Sequence, residues 1–541
     1  MTRRSLAWIA CAAAALASAS VLEGQAALTP ERQAKIDAAF STFSAATPGC
    51  AVGVSEGADV VVERAYGLAD LEQAAPSRPD TIFEAGSIAK QVTSAAILLL
   101  ARDGKLSLDD PLARYVPELP AYDAQPTIRH ALTHTSGLRD WGEIAAIGGW
   151  PRGTRAHTQV HVLEIAARQR SLNFTPGTNW SYSNTGYNLA AMIVSRVSGM
   201  SFAEFCRKRL FEPLGMSRTS WRDDYGRVVK GRATAYAPEA GSFRTRMPFE
   251  DAHGNGGLLT TVGDLLRWNR RFDASGPDGA LARTQQEPAT LVTGEVLDYG
   301  LGLYITRYDG VLEIAHGGAT AGYEAYLARY PERRLSVAVL CNVAGAGAEA
   351  RARAVADAFL GTRPARVVPR PGPAAFLDAW AGLYRGVATG RAFRVLRRED
   401  GLEVEGGPKL VAIGQGRFAV ADGPREVEFA DGTAMVLRHP NGLTERYERV
   451  DSARPSADAL REFEGIYVSE EAEVAYGAVL QKGELKLWRR PNVLIPLKPT
   501  YADAFDAPGL GAIRFRREAG RVVELIIVGE RVWDLQFKRI Q

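Results

Sequence analysis

The chain has 541 residues, 46% of them hydrophobic and 23% charged, with a formal net charge of +3. That length exceeds one ordinary core and predicts two to four domains. The composition excludes a largely disordered chain, and so small a net charge gives no case for nucleic acid or an acidic partner.

Residues 1–26 read as a secretory signal. Arg3 and Arg4 form a positive start, Leu6 to Leu16 an Ala-rich apolar run, and Ala17-Ser18-Ala19 or Gly24-Gln25-Ala26 a small-residue cleavage site. This predicts a periplasmic or secreted protein with no stable membrane insertion once the signal is removed. Of the four cysteines, Cys11 lies in that signal. Cys50, Cys206 and Cys341 are widely spaced inside apolar segments, and read as buried small hydrophobes, not a disulfide framework or metal site.

The next segment, 27–362, is expected to form one domain. Gly49 to Gly67 predicts a hairpin turning at Glu56-Gly57. A helix is expected from Ser87 to Asp103, buried on most sides through Ala95–Leu100 and stopped by Gly104. Residues 110–290 read as mainly helical, with Ser201-Phe202-Ala203-Glu204 a capping box. Strand patterns return over 300–342, clearest at Leu335–Cys341, and a final helix suits Ala346–Leu360. Strands, inserted helices, then strands again suggest a mixed sheet built from both ends of the domain.

Pro364, Pro369, Pro371 and Pro373 mark a linker. Beyond it the chain repeats itself. Leu377-Asp378-Ala379-Trp380-Ala381-Gly382-Leu383-Tyr384 is similar to Leu460-Arg461-Glu462-Phe463-Glu464-Gly465-Ile466-Tyr467, and Tyr447-Glu448-Arg449-Val450 to Phe537-Lys538-Arg539-Ile540. Two copies of a unit of short strands predict two small antiparallel β-barrels, 374–451 and 458–541.

Three constellations carry chemistry. Ser87-Ile88-Ala89-Lys90 puts a hydroxyl and an amine on one helical face, i and i+3. A serine needs a base, and a lysine serves only if burial and nearby positive charge depress its pKa. Tyr182-Ser183-Asn184 lies where a turn-rich loop enters a helix, suited to presenting a phenol and an amide together. His316-Gly317-Gly318 interrupts two strand patterns, Val311–Ala315 and Tyr323–Tyr330, with glycines that allow close approach of a ligand. His157 and His161, at i and i+4, lack an intervening Glu or a third ligand and read as a solvated pair; no metal or cofactor is expected. His134, within Thr133–Gly137, reads as a turn brace.

In this order and spacing the three constellations resemble the Ser-x-x-Lys, Tyr-x-Asn and Lys-Thr-Gly elements of the penicillin-recognising serine hydrolases, most closely the class C β-lactamase branch. Thr127–Leu138 and Gly256-Gly257-Leu258-Leu259-Thr260-Thr261 are similar to the same branch, and the resemblance runs from Leu28 to Leu360. It implies an α/β fold, an antiparallel sheet flanked by helices with a helical subdomain, ahead of the two barrels. It also implies Ser87 as nucleophile, Lys90 and Tyr182 sharing base and acid work, Asn184 binding the substrate amide, and backbone N–H groups of Ser87 and Ala319 beside Gly317 and Gly318 as an oxyanion hole. His316 stands where many relatives carry Lys. With the two C-terminal units it resembles the three-domain D-aminopeptidases.

The expected activity is therefore a peptidase on D-amino-acid or small peptide substrates. An esterase using the same site and a non-catalytic peptidoglycan-binding protein are the alternatives. Because a histidine is mostly neutral where a lysine is charged, weak turnover of carboxylate-bearing substrates and better turnover of amides or esters is expected, unless an arginine compensates. The loop Thr500 to Ala512, with Asp503 and Asp506, is a candidate to reach the active-site mouth and meet a substrate amine.

Overall fold

The computed structural model describes residues 28–361 and 377–541, apart from 400, 415, 422–424 and 431. The expected signal and the Pro-rich linker lie outside the described residues. Element labels follow chain order among the elements that position the site: α1 (Pro30–Ala39), β1 (Cys50–Glu56), β2 (Asp59–Tyr66), α2 (Ala89–Arg102), α3 (Asn184–Ser198), β3 (Tyr304–Tyr308), β4 (Val311–Thr320), β5 (Tyr323–Tyr330), β6 (Leu335–Cys341) and α4 (Ala348–Leu360).

The strands form one sheet in the order β3-β4-β5-β6-β1-β2. Every pairing is antiparallel, so the sheet is not mixed. Hairpin geometry gives the reason: β1–β2 and β3 to β6 run up and down through short turns, and the two ends of the domain meet where β1 pairs with β6. One face packs on α1 and α4 around Ile36, Val52, Val339 and Val355. The other receives the helical region, with α2 at its centre. Residues 89–100 of α2 are all buried, as their apolar run demands.

Four local expectations are corrected. The β1–β2 turn is Gly57-Ala58, since Glu56 already pairs with Asp59. Ser201 caps the N–H of Glu204, but the helix shows no reciprocal capping box. His316-Gly317-Gly318 does not interrupt the strands: it lies within β4, where His316 pairs with Leu327 and Gly318 with Ala325. Cys50 and Cys341 form a disulfide, because β1 and β6 are neighbours and the two residues face each other in register; Cys206 is the buried free thiol. Their separation of 291 positions hid this from the spacing.

Eight strands from Gly382–Gly386 to Thr444–Val450 close into a barrel, and nine strands from Gly465–Ser469 to Leu535–Arg539 form a second rolled sheet. The repeat is visible in atomic detail. Tyr384 donates to the Trp380 carbonyl and Tyr467 to the Phe463 carbonyl, at 2.9 and 2.8 Å. Arg449 donates to the carbonyls of Ala379 and Ala381, and Arg539 to those of Glu462 and Glu464. Phe418 meets Phe429 edge to face, as Phe505 meets Phe515.

The second barrel's core runs into the hydrolase region. Trp141, Ile144, Val162 and Ile165 share one apolar cluster with Tyr476, Leu487, Ile513 and Phe537. The first barrel touches the same region through Leu443 against Leu291 and Leu297. Reducing the disulfide, or replacing both Cys50 and Cys341 by Ala, is expected to lower stability by about 2–5 kcal/mol, since the bond closes a very long loop; a melt under reducing conditions that matches the oxidised one contradicts this.

Candidate active site

Ser87 sits in a single 3-10 turn, Gly86–Ile88, immediately ahead of α2, so the α-helix begins two residues later than expected. Gly86 has φ +52°, and a Cβ there would fall 2.7 Å from the Ala319 backbone nitrogen. A Cβ on Gly318 would fall 3.0 Å from the Ser87 nitrogen and 2.0 Å from the Ala85 carbonyl oxygen. Glycine at both positions lets the Ser87 turn press against β4, which brings the N–H groups of Ser87 and Ala319 together at the nucleophile.

Lys90 is fully buried. Its Nζ lies 3.1 Å from Ser87 Oγ, 2.9 Å from Asn184 Oδ1 and 2.7 Å from the Asn255 carbonyl oxygen. Burial holds its pKa well below the usual lysine value; the charges of Arg531 and Arg152 push the same way, and Asp140 opposes them. A neutral amine has two N–H groups and one lone pair. Asn184 Oδ1 and the Asn255 carbonyl can only accept, so they take the two N–H groups and the lone pair faces the Ser87 hydroxyl.

Three side chains fix those acceptors. Asp140 Oδ2 accepts from both the backbone N–H and Nδ2 of Asn184, at 2.8 and 2.9 Å. Asn188 donates to Asn255 Oδ1 at 2.8 Å, and Thr93 to the neighbouring Gly254 carbonyl at 2.7 Å. Both ends of the Asn184 amide are therefore engaged within the protein, and in this arrangement it positions Lys90. Sequence reasoning missed Asp140 and Asn255, although one lies two residues after Thr127–Leu138 and the other immediately before Gly256–Thr261, the stretches that carried the resemblance.

Tyr182 is half-buried against the ring of His134, with centroids 4.2 Å apart, and Lys90 Nζ lies 4.8 Å from its ring centre. Burial raises the phenol's pKa, while its hydrogen bond with Ser87 and the charge of Arg531 pull it down. Both shifts favour a neutral pair, a protonated phenol beside an unprotonated amine. His134, with φ +61°, braces this loop: its Nδ1 accepts from the Ser183 N–H at 3.2 Å and its carbonyl from the Ser181 N–H at 3.0 Å.

His316 supplies no charge. Its Nδ1 lies 2.6 Å from the Gly317 carbonyl, which can only accept, so Nδ1 carries the proton and Nε2 accepts from the Tyr299 hydroxyl at 3.2 Å. Burial and the neighbouring Lys90 push its pKa down to about 3. Both nitrogens are occupied inside the protein. His157 and His161 hold no common ligand position either: His161 caps the helix Gln159–Arg168 and His157 contacts the Trp150 carbonyl.

The nucleophile opens onto a cleft of about 1380 Å³, lined by Ser87, Tyr182, Asn184, Gly317 and Ala319, and also by Pro440 of the first barrel and Arg531 of the second. The loop Thr500–Ala512 does not form this mouth. It contains the strand Ala504–Ala507, and Asp503 pairs with Arg517 inside its own barrel. The segment that arrives instead is 529–534, the turn of the last hairpin, which carries no catalytic motif.

A serine beside a buried amine, a phenol and two converging backbone N–H groups is the machinery of acyl transfer. Residues 36–361 match the beta-lactamase family model. The chain belongs to the beta-lactamase family and is a serine hydrolase. It is 28% identical to a D-aminopeptidase of Gluconobacter oxydans over 94% of this chain and 99% of that protein. Among solved structures it is similar to the octameric penicillin-binding protein homologue from Pyrococcus abyssi, at 25% identity and a TM-score of 0.55, over 77% of this chain and 99% of that one. The fold also matches SurE, at 21% identity and a TM-score of 0.53, over 94% of this chain and all of that one.

Ser87→Ala is expected to cut kcat by well over a hundredfold; residual activity above a hundredth of the parent's contradicts the assignment. Only the neutral amine accepts a proton, so activity rises with pH through the Lys90 pKa. Its depression places that acid limb far below the ordinary lysine value of about 10.4, and a kcat/KM profile still climbing at pH 10 contradicts it. Tyr182→Phe is expected to lower kcat more than it raises KM.

Proposed function

We propose that this protein is a secreted peptidase that hydrolyses short peptides or amides of D-amino acids through an acyl-enzyme on Ser87. The observation that carries the chemistry is Lys90, whose lone pair is aimed at the Ser87 hydroxyl by two obligate acceptors. The substrate class rests on the near full-length similarity to a D-aminopeptidase. Secretion is supported by the N-terminal signal pattern and by the Cys50–Cys341 disulfide, a bond that persists in oxidising compartments.

In the first step Lys90 takes the Ser87 proton as Oγ bonds to the substrate carbonyl carbon, and the oxyanion is held by the N–H groups of Ser87 and Ala319. The C–N bond then breaks. Tyr182 gives its proton to the departing nitrogen and is reprotonated by the Lys90 ammonium. Water repeats the sequence on the ester, releasing the acid and restoring Ser87. An ester substrate needs no protonation of an amine, so the esterase reading uses the same groups and differs only in its leaving group.

A panel of D-alanyl-p-nitroanilide, its L counterpart, p-nitrophenyl acetate and nitrocefin tests this reading. The D-amide is expected to be turned over at least tenfold better than the L-amide, with loss of both activities in Ser87→Ala. Turnover confined to the acetate ester favours the esterase, and absence of D over L preference refutes the substrate class.

A further inference from the structure

Arg531 is the least committed cation at the nucleophile's end of the cleft. Four arginines line this cavity: Arg152, Arg307, Arg353 and Arg531. Arg152 is paired with Glu250. Arg353 is paired with Glu313 and Glu349. Arg307 donates to the Gly310 carbonyl at the far end of β3. The Arg531 guanidinium instead lies over the ring of Tyr182, 4.9 Å from its centre. Its Nε is buried with no hydrogen-bond partner among the described residues, and its nearest carboxylate is the exposed Glu530 at 4.0 Å.

The loop that carries Arg531 is gripped from both sides. Glu143 accepts the N–H groups of Glu530 and Arg531, at 2.8 and 2.6 Å, through its two carboxylate oxygens. The Arg531 carbonyl accepts from Asn173 Nδ2 at 2.9 Å and from the Asp140 N–H at 3.3 Å. Asn173 Oδ1 accepts the Trp533 N–H at 2.8 Å, and Arg139 donates to the Asp534 carbonyl at 2.9 Å. A Cβ on Gly529 would fall 1.8 Å from Glu143 Oε1, so a larger residue there would push this carboxylate off the loop's N–H groups. The backbone is thus fixed by residues of the hydrolase region, while the side chain's charged end is left to the cleft.

Apart from the exposed Glu530, the carboxylates near Arg531 are already engaged. Asp140 holds the Asn184 amide through Oδ2 and the N–H groups of Gly142 and Glu143 through Oδ1. Glu143 holds the loop itself. The neutral His316 adds no cation to the cleft. A planar guanidinium with open donors recognises a carboxylate in preference to a neutral amide. Tyr182, the proton donor to the departing nitrogen, must face the leaving group, and Arg531 rests on that phenol.

We infer that Arg531, delivered by the second barrel, is a specificity-determining residue that binds the carboxylate of the leaving residue, so that short peptides with a free C-terminus are preferred over their C-terminal amides. This reverses the preference that a neutral His316 implies when considered alone, and it rests on the acyl-enzyme reading above.

The test compares D-Ala-Gly, D-Ala-Gly-amide and D-Asp-Gly-amide at the pH plateau of each enzyme, so that any shift of the Lys90 acid limb is removed. The wild type is expected to favour D-Ala-Gly over its amide by tenfold or more in kcat/KM. Arg531→Gln is expected to lose that preference mainly through a higher KM for D-Ala-Gly; Arg531→Lys is expected to retain part of it. Gly529→Ala, which displaces the loop without touching Arg531, is expected to give the same loss. An equal fall on both alanyl substrates overturns the subsite and makes Arg531 a support for Lys90 or Tyr182. A selective fall on D-Asp-Gly-amide overturns the leaving-side placement. Ser87 labelling by a nitrophenyl phosphonate bearing a carboxylate or its methyl ester keeps the two readings apart. If no peptide is cleaved yet the carboxylate form labels faster only when Arg531 is present, the substrate class fails and the subsite stands.

Discussion

The site depends on a lysine kept out of water. An isolated ammonium in an apolar interior is strongly disfavoured, and the amine answers by releasing its proton. That turns a residue normally useless as a base into one, provided that its lone pair has a fixed direction. Here the direction comes from two acceptors that cannot exchange roles with it, the Asn255 carbonyl and Asn184 Oδ1. Asn184 can present oxygen to Lys90 because Asp140 holds its nitrogen. The reactive pair Ser87–Lys90 is thus the visible end of a chain of buried polar groups reaching to Asp140 and, through Asn255, to Asn188.

The same Asp140 links catalysis to the second barrel. Its carboxylate serves Asn184 while its backbone N–H meets the Arg531 carbonyl. Helix Trp141–Ile147, which begins at Asp140, lies in the apolar cluster shared with that barrel, and Tyr476 donates to the Ile147 carbonyl at 2.8 Å. Buried Arg139 pairs with Glu471 across the same junction at 2.7 Å. Docking therefore joins apolar burial to hydrogen bonds on backbone atoms, a combination that resists rigid-body slippage better than surface ion pairs do. Through this contact the charge of Arg531 also reaches Lys90 and Tyr182.

The two barrels share one pattern and present different loops to the hydrolase region. Each keeps a Tyr tied to the carbonyl four residues earlier and an Arg clamping the same short helix-to-strand turn. Their outer loops diverge. The first offers the Asn441 carbonyl to the Asp298 N–H and leaves Pro440 at the cleft's edge. The second inserts a charged side chain. A barrel frame tolerates such changes because its ladder hydrogen bonds and interior residues do not depend on the turns.

The sequence by itself put Ser87 and Lys90 on one turn, set Tyr182 two residues before Asn184, and showed the hydrolase-then-two-barrels order. These are legible because they are carried by short patterns: an i, i+3 pair on one helical turn, a phenol and an amide two positions apart, and a unit that recurs after 83 residues. Tertiary structure alone decided what lies far apart in the chain and close in space. The Cys50–Cys341 bond follows from the register of β1 on β6, which no spacing encodes. The neutral state of His316 follows from its burial beside Lys90, against the pull of the Gly317 carbonyl. That segment 529–534, and not 500–512, enters the cleft follows from where Glu143 and Asn173 take hold of backbone groups. A turn's sequence reports its local conformation; which distant surface accepts its N–H and C=O groups is settled only when the domains pack.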